Sequence, residues 1–72
     1  MTNAAYYENL YATSVREILD EYERTAGRAP GPDVLLIADL AGDQAIKYSP
    51  EWVLESDGRH GLYFNQMRFE YE

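Results

Sequence analysis

The chain contains no cysteine. Disulfides, thiolate zinc sites and cysteine nucleophiles are therefore excluded, and the absence fits a reducing compartment. Basic residues are scarce: six Lys and Arg stand against thirteen Asp and Glu, for a formal net charge of −7. Nucleic acid and anionic membranes both select a positive footprint, so direct binding to either is not expected. Long apolar runs are missing too, and none approaches the roughly 18 residues that span a bilayer. The opening residues, MTNAAYYE, have neither the basic nor the apolar segment of a signal peptide. These two absences lead to the expectation of a cytoplasmic protein.

Catalytic groups are equally thin. His60 is the only histidine. It falls just after a predicted turn, opposite Glu55, where an exposed cross-strand pair is the expected outcome. Ser14, Ser49 and Ser56 occupy positions explained by helix packing, capping or turn ends. Asp33, Asp39 and Asp43 surround a glycine turn, but their spacing does not match a calcium loop and no metal site is expected. Gly58-Arg59-His60-Gly61 lacks the strand-to-helix context of a phosphate loop. No cofactor and no enzymatic activity are expected.

What is present is a globular mixture. Of 72 residues, 46% are hydrophobic and 26% charged, a balance that separates the chain from disordered sequences. A chain this short buries only about 60% of its unfolded surface, so residues 1–72 make one domain of marginal stability. Seven tyrosines against two phenylalanines give it aromatic area with polar tips. Tyrosine of that kind serves equally at a core rim and at an interface.

Residues 3–26 read as one amphipathic helix. Tyr7, Leu10, Tyr11, Val15, Ile18 and Tyr22 form a stripe at 100° per residue, with Leu19 at its edge. Thr2 or Asn3 can cap it, and Asn9, Arg16, Asp20 and Glu23 face water. Arg16–Asp20 and Asp20–Arg24 are spaced for i,i+4 ion pairs. Gly27 suits the C′ position, and Pro30 prevents continuation. After a stiff connector at 28–33, the run Val34–Ala38 predicts a central strand. Residues 39–43 predict a turn, and Ala45–Tyr48 a short returning strand.

Ser49-Pro50-Glu51 could start a helix, but the downstream pattern favours a strand through Trp52. Asp57-Gly58 suits a type I′ hairpin turn, which would place Trp52 against Tyr63 and Val53 against Leu62. Leu62–Tyr71 then forms one long strand of period two. Trp52, Leu54, Tyr63, Met67, Phe69 and Tyr71 would share the inner face. Gln66, Arg68, Glu70 and Glu72 would point outward, beside an apolar patch of Val53, Leu62 and Phe64 that needs a cover. The expected fold is α+β: one N-terminal helix on a three- to four-stranded, mostly antiparallel sheet, in the order αββββ.

In size, acidity and tyrosine content the chain resembles the small phage-encoded inhibitors of host defence complexes, anti-CRISPR proteins among them. That resemblance implies a non-enzymatic inhibitor occupying a nucleic-acid groove or a basic subunit surface of its target. The residues themselves lead to the expectation of an acidic interaction protein whose partner is a protein with a basic surface. Tyr6, Glu8, Asp20, Glu23 and Arg24 on the helix, or Glu70 and Glu72 on the last strand, would make the contact. The alternative is an obligate homodimer or a small subunit of a larger assembly, closed through Val53, Leu62 and Phe64.

Overall fold

A computed structural model describes residues 3–71. Thr2, one of the two expected helix caps, and Glu72, one of the expected contact residues, lie outside the described residues. The elements run α1 (Asn3–Ala26), α2 (Pro32–Lys47), β1 (Pro50–Leu54), β2 (His60–Phe64) and β3 (Met67–Arg68). The class is α+β, with two helices and a three-stranded antiparallel sheet ordered β1-β2-β3.

Helix α1 has its expected limits. Gly27 ends it at φ +71°, donating its N–H to the Glu23 carbonyl at 2.9 Å. The region after the connector departs from expectation: residues 34–38 and 45–48 are not strands, and residues 39–43 are not a turn. Pro32–Lys47 is a 16-residue helix. Gly31 is its extended N-cap, Pro32 supplies a preset φ in the first turn, Asp33 faces the positive end and Lys47 the negative end. The buried positions Val34, Ala38, Ala41 and Gly42 recur at helical spacing, with Ile37 and Ala45 packed beside them.

Five residues connect the helices, and α2 returns antiparallel along α1. Gly42 sets their closeness. A Cβ there would lie 2.6 Å from Tyr11 Cε2 and 2.9 Å from Val15 Cγ2. The Tyr11 hydroxyl donates to the Asp39 carbonyl, with the Asp39 carboxylate 3.2 Å away.

The hairpin register differs from expectation by one residue. Trp52 opposes Leu62 and Val53 opposes Gly61. The turn is a three-residue loop, Ser56-Asp57-Gly58, rather than the two residues Asp57-Gly58. Glu55 N–H donates to Arg59 O at 2.7 Å and Gly58 N–H to Glu55 O at 3.0 Å, with Gly58 at φ +87°. A one-residue slip exchanges the faces of a strand. Leu62 and Phe64 therefore turn inward with Trp52, while Tyr63 turns outward beside Glu51. The single strand expected over 62–71 folds back at Asn65 and Gln66, which hold φ of 51° and 69°, the signature of a type I′ turn. Met67 consequently is 74% exposed rather than internal, and Leu54 and Tyr71 are also exposed.

The core is Ile18, Tyr22, Val34, Ala38, Ala41, Trp52, Leu62 and Phe64. Trp52 ties the layers together. Its indole N–H donates to the Ile18 carbonyl at 2.9 Å, and its ring meets Tyr22 edge-on with centroids 5.0 Å apart. Phe69 packs against the cluster from the C-terminal segment, its N–H donating to Leu62 O at 2.7 Å.

Candidate functional site

The expected apolar patch does not form. Leu62 and Phe64 are 2% and 6% exposed within the chain's own core, and Val53 lies on the opposite face of the hairpin, 38% exposed. The three residues therefore offer no common outer surface.

The expected helix contacts are all exposed: Tyr6, Glu8, Asp20, Glu23 and Arg24. They do not make one patch. At about 100° per residue, Tyr6, Glu17, Asp20 and Arg24 fall on one outward stripe, exposed Arg16 and Glu23 flank it about 40° and 60° from Asp20, and Glu8 lies about 120° round from Asp20. Tyr6 and Tyr7 stand edge-to-face at the N-terminal end of α1, centroids 5.6 Å apart. Neither expected i,i+4 pair forms. Arg24 instead pairs with Glu21, which raises the guanidinium pKa through a direct hydrogen bond and charge, and Asp20 is left without a cation.

Twelve side-chain carboxylates lie among the described residues, and only Glu21, Glu55 and Glu70 bridge to a cation. The other nine, including Glu8, Glu17, Asp20 and Glu23 on α1, face water without an ion-pair partner among the described residues. Glu70 differs from its expected role because Arg68 holds it at 3.1 Å. The same Arg68 bridges Glu55 at 2.7 Å, and the Tyr63 hydroxyl donates to Glu55 at 3.1 Å. Burial first, then that hydrogen bond, pushes the Tyr63 phenol above its usual range. On the outer sheet face Arg68 thus draws in Glu55 and Glu70 but leaves Glu51 unbridged, and the nine unbridged carboxylates divide into four on α1, three on α2, Glu51 on β1 and Asp57 in the hairpin loop.

A concavity lies where α1, α2 and the hairpin converge. A cleft of about 220 Å³ is lined by Tyr22, Arg28, Arg59, His60 and Arg68, and by Asp33, Glu55 and Asp57. Three guanidinium groups face three carboxylates, so these six charges cancel. His60 opposes Leu54, not the expected Glu55, and its Nδ1 is buried without a hydrogen-bond partner. No serine, threonine or other hydroxyl nucleophile apart from Tyr22 and Tyr71 lines the cleft, and the Tyr22 oxygen accepts from Arg28 Nε at 3.1 Å. No group of three or more potential metal ligands occurs among the described residues. Among them, no helix is long and apolar enough to cross a membrane.

Glu17, one of the acidic residues that dot the helix in the sequence, joins the outward stripe of α1. One surface feature was not anticipated from the sequence. Leu36 and Leu40 are half-exposed on α2, and reading residues 34–38 as a strand hid them.

No protein-family model matches the chain, and no curated protein or solved structure matches it either.

Proposed function

We propose that this chain is a small acidic, non-enzymatic interaction protein that inhibits or regulates a protein partner by binding its basic surface. The outward stripe of α1 makes the contact, with Glu17, Asp20 and Glu23 as the charges and Tyr6 as an aromatic anchor at one end. The observation that carries this reading is that four exposed carboxylates of α1, Glu8, Glu17, Asp20 and Glu23, bridge no cation among the described residues, on a chain of net charge −7. Unpaired charge on a rigid helix raises the rate of encounter with an opposite surface, and tyrosine supplies contact area at low entropic cost.

The test is affinity capture from the native host with wild type and with the triple variant Glu17→Gln/Asp20→Asn/Glu23→Gln, each at about 50 and about 500 mM salt, either side of strong screening. A partner retained by wild type at low salt, and lost with the variant or at high salt, supports the reading. Recovery of the same partner by the triple variant at both salts refutes it.

A further inference from the structure

Helix α2 exposes two leucines on the face turned away from the core, among the polar side chains of Asp33, Asp39, Asp43, Gln44 and Lys47. Leu36 and Leu40 are 50% and 47% exposed there.

The charges around the two leucines indicate what covers them. Asp33, Leu36, Leu40, Gln44 and Lys47 are all exposed and fall on one stripe of α2, with exposed Asp43 at its margin about 60° from Leu40. Their spacing is symmetric about Leu40: Leu36 and Gln44 lie four residues to either side, Asp33 and Lys47 seven. Neither Asp33 nor Lys47 is ion-paired within the chain, among the described residues. At 1.5 Å per residue, each end charge lies about 10 Å along the axis from Leu40. Turned about a two-fold axis at Leu40, the stripe meets itself with Asp33 over Lys47 at both ends, and with Leu36 over the stem of Gln44. Two-fold self-association requires this self-complementarity.

We propose that two copies of this chain pair through α2, antiparallel about a two-fold axis at Leu40. The α2 stripe contains none of the α1 carboxylates, so this pairing and the capture of a basic partner can each fail alone.

Because the chain has no cysteine, a single introduced thiol reports the contact. Leu35 and Leu40 are equally exposed, at 47%, but lie about 140° apart around the helix. Leu40→Cys should form an interchain disulfide at least about tenfold faster than Leu35→Cys, since only thiols at the axis come within bridging distance. Light scattering and sedimentation of the full wild-type chain should give twice the monomer mass at high concentration. Leu40→Asp should weaken that association at least about tenfold, with helical circular dichroism retained. Equal cross-linking at positions 35 and 40 overturns the proposal. So does a wild-type chain that stays monomeric at every concentration, which would leave the stripe to a different protein.

Discussion

Replacing Trp52 by phenylalanine tests the packing most severely. The indole N–H that donates to Ile18 O at 2.9 Å is lost, which removes about 1 kcal/mol. The smaller ring leaves a void beside Tyr22 and weakens an edge-on contact now at 5.0 Å, for about 1–2 kcal/mol more. The sum, about 2–3 kcal/mol, is a large share of the about 4–11 kcal/mol available to a chain of this length. Urea unfolding followed by far-ultraviolet circular dichroism should show a midpoint lowered by about 2–3 M, at a slope near 1 kcal/mol/M. The neighbouring Val53→Ala, on the opposite face of β1, should cost under about 1 kcal/mol. A Trp52→Phe loss no larger than that of Val53→Ala would mean that the indole does not join the helices to the hairpin.

Other substitutions probe single contacts. Gln66→Gly should stabilise the fold by about 0.5–1 kcal/mol in the same assay, because a non-glycine residue at φ 69° is strained. A destabilising result would contradict the type I′ turn. Gly42→Ala should destabilise by up to about 2 kcal/mol, since crowding Tyr11 and Val15 costs about 1–3 kcal/mol against a helix-propensity gain of about 1 kcal/mol. A gain in stability would show the helices to be further apart. At high pH, burial and hydrogen bonds to Asp39 and Glu55 hold the Tyr11 and Tyr63 phenols above their usual range. The unfolded chain then releases those protons first, so their contribution is intact below about pH 10 and fades as pH rises through the folded values. Phenolate absorbance should show two late-ionising tyrosines, and the double variant Tyr11→Phe/Tyr63→Phe should lessen the alkaline loss of stability. An unchanged alkaline limb would refute this assignment.

Helix α1 was legible because its stripe is long and its end is marked twice, by Gly27 and Pro30. Helix α2 was not, because its core face is built from Ala38, Ala41, Gly42 and Ala45, small residues that give a weak apolar signal. Its exposed leucines fill the gaps and turn a helical period into a continuous run. The start signal was nonetheless present in Pro32-Asp33. In the hairpin, Asp57-Gly58 marked the turn correctly but not its length. Gly58 takes the third position of a three-residue loop, which moves Leu62 and Phe64 over Trp52. The Asn65-Gln66 turn carries no glycine, so nothing local distinguished it from a continuing strand. For the surface, the acidic character of α1 followed from composition and period. Which carboxylates keep a cation did not, because Arg24 takes Glu21 rather than Asp20, and Arg68 draws Glu55 and Glu70 together from residues distant in sequence.

The proposed contact sets the unpaired carboxylates of α1 against a basic partner. The most direct measurement is the association rate with the captured partner, followed as ionic strength rises from about 50 to about 500 mM. The rate should fall by about tenfold or more, and the fall should flatten in the Glu17→Gln/Asp20→Asn/Glu23→Gln variant. A rate indifferent to salt, or equally steep in wild type and variant, would contradict the account.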